Sequence, residues 1–339
     1  MSDDLFPVDV VTAVLDEHGI GSGAVRHRRV GEGHSNLTYR VERDDVVVVL
    51  RRGPRPPLPR STHDMVREAR VQRVLAAQGV PVPEILAVVE DESLIGVPFY
   101  VSAWLDGVVV TDAVPPALDP PAERRRTVEA AVETLLALHA VPVDDPDVAA
   151  LGRPEGYLGR QVERFAGLWS VNSRRDLPAV DAIGAWLAAH LPTTQRHAVV
   201  HGDYRLGNLM SAVDAPARVR AVLDWEMATL GDPLADVGYL LATYAQPGST
   251  PTPLELTPVT REPGYPTRDE VAEAYAVGSG LDLDDLRWYE TLALWKAAIF
   301  CEAMYTRWVD GERPGDSFAE SLGEGVPLLV ETARARAGH

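Results

Sequence analysis

His201-Gly202-Asp203-Tyr204-Arg205-Leu206-Gly207-Asn208 carries the clearest structural signal in this chain, and Leu223-Asp224-Trp225-Glu226 follows soon after it. A short apolar run leads into each segment. Ala198-Val199-Val200 precedes the first, and residues 219–223 end at Leu223, where the second begins. Such runs predict two short buried strands. We therefore expect the polar residues that follow each strand to be delivered to a common point.

Three of these polar residues match the groups that phosphoryl transfer needs. Four residues separate Asp203 from Asn208, which is the spacing of a kinase catalytic loop. Asp203 is the candidate base for the attacking hydroxyl, and Asn208 and Asp224 are the candidate ligands for Mg²⁺, which prefers carboxylate and carbonyl oxygens. Taken singly, each could be a turn or cap residue, but the three in this order predict a site for ATP and magnesium.

Composition excludes several other classes of protein. The chain has 339 residues, of which 46% are hydrophobic and 24% charged, and this suits a folded protein of about two domains. The net charge of −18 disfavours nucleic acid and anionic membranes as partners. The longest aliphatic run, Val46–Leu50, is too short for a membrane span. With Cys301 as its single cysteine, the chain cannot form an internal disulfide, and we expect a cytoplasmic location.

The periodicity of the apolar residues changes near residue 106. Before it, apolar and β-branched runs alternate with turns and predict a small β-rich N-terminal lobe over residues 1–105. After it, helical periodicity predominates and predicts a larger C-terminal lobe over residues 106–339. Within this lobe, the Pro-, Gly- and Thr-rich segment Gln246–Pro266 is the candidate mobile substrate loop.

The combined motifs resemble the aminoglycoside phosphotransferase-like kinases, relatives of protein kinases that phosphorylate small molecules. The resemblance is carried by residues 201–208 and 223–226 and by Gly231-Asp232-Pro233 with Asp236, and it extends over nearly the whole chain. It implies a bilobal, protein-kinase-like α+β fold. It also implies that Asp236 braces the catalytic loop through hydrogen bonds and that His201 is structural.

The N-terminal lobe contains matching candidates for nucleotide binding. A small-residue loop over residues 31–36 lies between two predicted strands, where a kinase covers the phosphates; alone it could be a simple hairpin turn. Arg51 stands in place of the usual phosphate-binding lysine, with Glu68 on the next helix as its ion-pair partner. The chain's one lysine, Lys296, lies in a late helix and cannot replace it. The nucleotide-binding candidates are Gly31, Gly33, Ser35, Asn36, Arg51 and Glu68, with the backbone of Ala103 and Leu105 as the candidate adenine contact.

Three hypotheses describe the acceptor. The C-terminal segments Tyr265–Glu270 and Leu286–Glu290 are similar to the branch of this family that is associated with acyl-CoA dehydrogenases. That similarity implies a hydroxyacyl-CoA-type acceptor and a dehydrogenase on a separate chain, since this sequence ends at His339. The alternatives are an aminoglycoside or other antibiotic acceptor, which the acidic charge would suit, and a pseudokinase-like scaffold that binds nucleotide without turnover.

Overall fold

The computed structural model describes residues 5–31, 36–54, 63–312 and 314–338. The chain divides into two compact units. The first comprises Met1–Gly107 with Arg220–Met227, and the second comprises Val108–Val219 with Ala228–His339. The β-rich first part and the helical second part confirm the predicted α+β class.

The first unit is built on a five-stranded antiparallel sheet in the order β1-β2-β3-β5-β4. Alternate residues of β2 and β3 are buried, so one face of the sheet covers an apolar core that includes Tyr39, Leu50 and Phe99. The elements are α1 (Val8–Glu17), β1 (Arg26–Val30), β2 (Leu37–Glu42), β3 (Val47–Arg52), α2 (Met65–Ala77), β4 (Ile85–Val89), α3 (Glu92–Ile95) and β5 (Phe99–Ala103).

The segment Arg220–Met227 belongs to the first unit, although the predicted boundary at residue 105 assigned it to the C-terminal lobe. The Val222 N–H donates to the carbonyl oxygen of Pro81 at 2.8 Å, which ties the segment to the loop after α2. Asp224 is thereby placed in the unit that contains the sheet, because backbone and side-chain bonds hold this segment there.

The second unit is mainly helical. Its helices are α4 (Pro121–His139), α5 (Pro146–Ala149), α6 (Tyr157–Asn172), α7 (Pro178–Ala189), α8 (Leu234–Thr243), α9 (Arg268–Ser279), α10 (Leu286–Val309) and α11 (Ser317–Ala337). Its short strands are β6 (Val108–Val109), β7 (Ala198–Val200), β8 (Leu209–Ser211), β9 (Val219–Val222, which continues into the first unit) and β10 (Thr229–Gly231).

Helix α10 is the centre of the second unit. Residues Trp288–Trp295 are buried around its whole circumference, because α8, α11, α6 and α7 all pack against it. The Trp288 and Trp295 indole N–H groups donate to the backbone oxygens of Leu187 and Val180 in α7, which satisfies these buried polar atoms.

The predicted substrate loop Gln246–Pro266 is firmly anchored. Buried Glu255 forms ion pairs with Arg261 and with Arg268, the latter at 2.8 Å. The hydroxyl of Tyr244 donates to the carbonyl of Pro266 at 2.7 Å. Arginine–glutamate pairs therefore cross-link a stretch whose composition alone is typical of a loop, and the mobility of this segment stays a prediction.

In the parts of the chain that the structure describes, no helix combines the length and the apolar character that crossing a membrane requires.

We predict that Gly238→Ala destabilises the second unit. A Cβ at this position of α8 would lie 2.6 Å from the backbone carbon of Tyr289 in α10, so the two helices would have to separate. Overpacking of this kind costs about 1–3 kcal/mol, and thermal unfolding measures it. Gly167→Ala in α6 is the matched control, since its Cβ would meet no atom within 4 Å; it should leave stability unchanged or raise it by about 0.5–1 kcal/mol. Equal melting temperatures for both variants would contradict the prediction.

Candidate active site

The backbone ahead of Asp203 is fixed by a buried carboxylate. Asp236, at the start of α8, accepts hydrogen bonds from the N–H groups of His201 at 2.7 Å and Gly202 at 2.8 Å. Gly202 has a φ of +85°, a conformation that favours glycine. The bracing role predicted for Asp236 is thus confirmed, and the loop that bears Asp203 starts from a defined backbone.

His139 also contacts the Asp236 carboxylate, and the sequence pattern did not identify it. Its Nε2 lies 3.2 Å from Asp236 Oδ2, and its Nδ1 lies 2.7 Å from the hydroxyl of Tyr275. Both the histidine and the aspartate side chains are fully buried. His139 ends α4 on the same face as the buried residues Val132 and Leu135, so its spacing alone does not distinguish it from an ordinary core residue.

The two oxygens of Asp203 have different surroundings. Oδ2 accepts a hydrogen bond from Asn208 Nδ2 at 2.7 Å. Oδ1 is buried and has no hydrogen-bond partner among the described residues, and it forms an ion pair with Arg205 Nε at 3.5 Å. Burial, and then the nearby Asp203 charge, raise the pKa of Tyr239 well above its usual value, so this phenol stays neutral beside the carboxylate. Oδ1 is therefore an oxygen that can accept a proton from an incoming hydroxyl.

Asn208 is oriented for a second task. Its Nδ2 donates to both the backbone carbonyl and the carboxylate of Asp203, so its amide oxygen points away from these partners. The residue ends a short 3₁₀ turn, Leu206–Asn208, and a Cβ on Gly207 would collide with the guanidinium of Arg205. The amide oxygen is a hard donor of the kind that suits Mg²⁺.

In the first unit, Arg51 lies between two carboxylates. Its Nε is 3.2 Å from Glu68 Oε1, and its Nη2 donates to Asp224 Oδ1 at 2.5 Å. Glu68 Oε1 also accepts a hydrogen bond from the Tyr100 hydroxyl at 3.1 Å. Strand β3, helix α2 and the segment that contains Asp224 thus meet at one guanidinium, and the structure contains the ion pair expected between Arg51 and Glu68.

Burial and charge act in opposite directions in this cluster. Burial alone would lower the pKa of Arg51, but the neighbouring Glu68, Tyr100 and Asp224 outweigh it and raise that pKa above its usual value. Burial raises the pKa of Glu68 to about 7, against the stabilising charge of Arg51. Arg51 therefore stays protonated and can offer N–H donors to phosphate oxygens.

The backbone at Asp224 is unusual. Asp224 has a φ of +65°, which is uncommon for a residue with a side chain. Two residues later, Glu226 accepts a hydrogen bond from Asn36 Nδ2 at 2.8 Å, and Asn36 Oδ1 lies 2.7 Å from His63 Nδ1. Backbone strain of this kind clusters at functional sites, and here hydrogen bonds on the following residues maintain it.

The remaining nucleotide-binding candidates are placed as follows. Gly31 ends the β1 side of its loop with a φ of +77°, whereas Gly33 and Ser35 lie outside the described residues. Ala103 ends β5, and its N–H already donates to the Glu84 carbonyl at 2.8 Å. Leu105 follows the strand and is partly exposed. The backbone N–H of Leu105, and not that of Ala103, is therefore the candidate donor to adenine.

The second unit also contains a cavity of about 380 Å³ that holds none of the predicted site residues. Residues 249–255 line one side, and α9, α10 and α11 line the others. Glu290 and Leu294 are the α10 residues that face it. Among the described residues, no cluster of three or more histidine, cysteine or acidic side chains could bind a metal.

Two acyl-CoA dehydrogenase family members match most of the chain. Acyl-CoA dehydrogenase family member 10 of Mus musculus is 34% identical over 316 residues, which are 92% of this chain and 29% of the relative. Acyl-CoA dehydrogenase family member 11 of Gallus gallus is 33% identical over 305 residues, which are 88% of this chain and 39% of the relative. The chain thus spans roughly a third of the length of these relatives.

Solved structures agree with the fold. A candidate aminoglycoside phosphotransferase from Ralstonia eutropha superposes with a TM-score of 0.81 at 27% identity, covering 97% of this chain and 98% of that one. An aminoglycoside phosphotransferase mutant, solved as a ternary complex with ADP and hygromycin B, has a TM-score of 0.58 at 17% identity and covers 94% of this chain and 97% of that one; it shows the fold alone. The sequence pattern of the phosphotransferase enzyme family matches residues 26–289. The chain therefore belongs to the phosphotransferase enzyme family.

Proposed function

We propose that this phosphotransferase transfers the γ-phosphate of ATP to the hydroxyl of a hydroxyacyl-CoA-type small molecule. The observation that carries the proposal is the 34% identity to acyl-CoA dehydrogenase family member 10 across 92% of this chain. The similarity includes the part of the chain that holds Asp203 and Asn208. The acceptor class is inferred from the association with acyl-CoA dehydrogenases, and neither the structure nor the comparisons support a dehydrogenase on a separate chain.

In the proposed reaction, Asp203 acts as the base. Its Oδ1 accepts the proton of the acceptor hydroxyl. The hydroxyl oxygen forms a bond to the γ-phosphorus, and the bond between the γ-phosphorus and the ADP oxygen breaks. Asn208 Nδ2 bonds to the other carboxylate oxygen and so directs Oδ1 toward the hydroxyl. The bonds of Asp236 to the preceding backbone keep the loop from relaxing.

The proposed ligands of the nucleotide phosphates and their Mg²⁺ are Arg51, Asn208 and Asp224. Arg51 would contribute N–H donors, with Glu68 fixing its orientation. The oxygens of Asn208 and Asp224 suit Mg²⁺, which when bound neutralises charge on the β- and γ-phosphates. In the structure Asp224 pairs with Arg51. We therefore expect ATP phosphates to compete with Asp224 for Arg51, and Mg²⁺ to compete with Arg51 for Asp224.

A second candidate is phosphorylation of an aminoglycoside or another hydroxylated antibiotic. The Ralstonia eutropha structure favours it, with 27% identity and a TM-score of 0.81. A nucleotide-binding scaffold without turnover is a third alternative, but the presence of Asp203, Asn208 and Asp224 argues against it.

We predict that hydroxyacyl-CoAs, and not aminoglycosides, stimulate ADP release. The experiment measures magnesium-dependent ADP release with hydroxyacyl-CoAs of varied chain length and, in parallel, with aminoglycosides and other hydroxylated antibiotics. Turnover confined to the antibiotic panel would replace the proposed acceptor with the second candidate. ATP binding with no turnover in either panel would favour the scaffold.

We predict that Asp203→Asn lowers turnover by about 10²- to 10⁴-fold, the range expected for loss of a general base. Nucleotide affinity, measured by calorimetry, should stay near that of the wild type because Asp203 acts on the acceptor. Asp214→Asn is the matched control, since Asp214 is exposed and, among the described residues, its one ion pair is with Arg218. Undiminished turnover in Asp203→Asn would remove this residue from the role of base.

We predict that Asp224→Ala abolishes the magnesium-dependent part of nucleotide binding. Removing the carboxylate deletes a hard oxygen ligand, so ADP affinity should no longer respond to Mg²⁺ or to its removal by EDTA. Titrations of ADP with and without Mg²⁺ measure this difference. If Mg²⁺ still strengthens binding in the variant as much as in the wild type, Asp224 does not hold the metal.

A further inference from the structure

The chain's single lysine lies close to the catalytic loop of the second unit. Lys296 is in the middle of α10, and its Nζ donates to Gln161 Oε1 of α6 at 3.0 Å. It also lies 4.7 Å from the centroid of the Phe165 ring. An ammonium has three N–H donors, and the described part of the chain places no carboxylate within ion-pair distance of this one. Lys296 thus retains donors that a ligand can use.

Lys296 lies near groups of both charges, and burial has the largest effect on its pKa. Exposed Arg164 lies near it on α6, and burial together with this charge lowers the pKa of Lys296 to about 8. The ammonium is also within electrostatic reach of the carboxylates of Asp203 and Asp236. A partly buried cation without an adjacent counter-charge is costly, and an anionic group from a ligand would reduce that cost.

An aromatic surface adjoins the ammonium. Phe300 lies one helical turn after Lys296, and its ring meets Phe165 edge-on at a centroid distance of 5.1 Å. Phe300 remains 45% exposed. Leu294, which faces the 380 Å³ cavity, is two residues from Lys296 and therefore projects from another side of α10. The surface at Lys296 is thus distinct from that cavity and combines a cation with an apolar wall.

We propose that Lys296 is a specificity-determining residue that binds an acyl oxygen of the acceptor. That oxygen is a carboxylate oxygen or a thioester carbonyl oxygen, and Phe300 contacts the adjoining carbon chain. The inference rests on the proposed function and narrows it, because it names the acyl group as the part of the acceptor that Lys296 recognises. It also assigns a role to the only lysine among 32 basic residues.

The test compares Lys296→Met and Lys296→Arg with the wild type. Three acceptors carry the same hydroxylated chain: a free hydroxy acid, its CoA thioester and its methyl ester. We expect Lys296→Met to raise the KM for the preferred acceptor about tenfold or more, as loss of a charge-assisted hydrogen bond implies. The kcat and the KM for ATP should change little, and Lys296→Arg should restore most of the affinity. An effect on the acid alone identifies a carboxylate ligand, and an effect on the thioester and the ester identifies a carbonyl.

Arg334→Gln is the charge-matched control, because Arg334 is exposed on α11 and pairs with Glu331. A loss of kcat in Lys296→Met without a change in acceptor KM would overturn the inference, since the lysine would then act through the catalytic loop. Acceptor KM values equal to those of the wild type, or equal to those of Arg334→Gln, would overturn it as well.

Calorimetry separates this inference from the proposed function. If the wild type binds the hydroxy acid or its thioester without turnover and Lys296→Met loses that binding, the proposed reaction fails and the role of Lys296 stands. If the wild type turns over these acceptors and Lys296→Met binds them equally well, the proposed reaction stands and the role of Lys296 fails. No binding of either compound by the wild type overturns both.

Discussion

The geometry of the catalytic loop depends on one buried carboxylate, that of Asp236. Two backbone N–H groups and the ring of His139 surround it; Asp236, His139 and His201 are buried, and Gly202 is partly buried. A buried charge that loses one of several such partners is left uncompensated, at a cost of several kcal/mol. The backbone of His201 and Gly202 therefore cannot move independently of Asp236, and Asp203 inherits this rigidity.

Arg51 has a comparable position in the first unit, but with a different consequence. Its guanidinium joins β3, α2 and the segment around Asp224 through charge instead of through backbone bonds. Ion pairs to a shared cation can be exchanged for phosphate oxygens, because a guanidinium offers donors in several directions. The second unit thus has a hydrogen-bonded framework around Asp203, the proposed base. The first has an ion-pair cluster that can exchange partners, which suits the proposed binding and release of a nucleotide.

Sequence periodicity predicted the elements with a regular apolar pattern and missed those without one. The aliphatic run Val46–Leu50 lies almost wholly within β3 (Val47–Arg52), and Thr267 and Glu270 form a capping box at the start of α9. Helix α11 was not predicted, because Pro327 and two glycines lie within it; burial of one face against α10 overrides those local preferences. The residues of the catalytic motif were identifiable from their spacing, whereas His139 and Lys296 act through contacts with distant segments that spacing does not encode.

The contrast between the net charge of −18 and the cationic surface at Lys296 bears on how a ligand is selected. At physiological ionic strength, charges on exposed side chains are screened over about 8 Å, so the overall acidity has little effect on a ligand beyond that distance. A bound acceptor instead interacts with the few groups within hydrogen-bond distance, where screening is weak. Among the described residues, the Lys296 ammonium has no carboxylate within ion-pair distance. An acidic chain of this kind therefore disfavours polyanions as general partners, while the proposed site at Lys296 accepts one negative group. Charges within hydrogen-bond distance of the acceptor are for this reason a better guide to the substrate than composition.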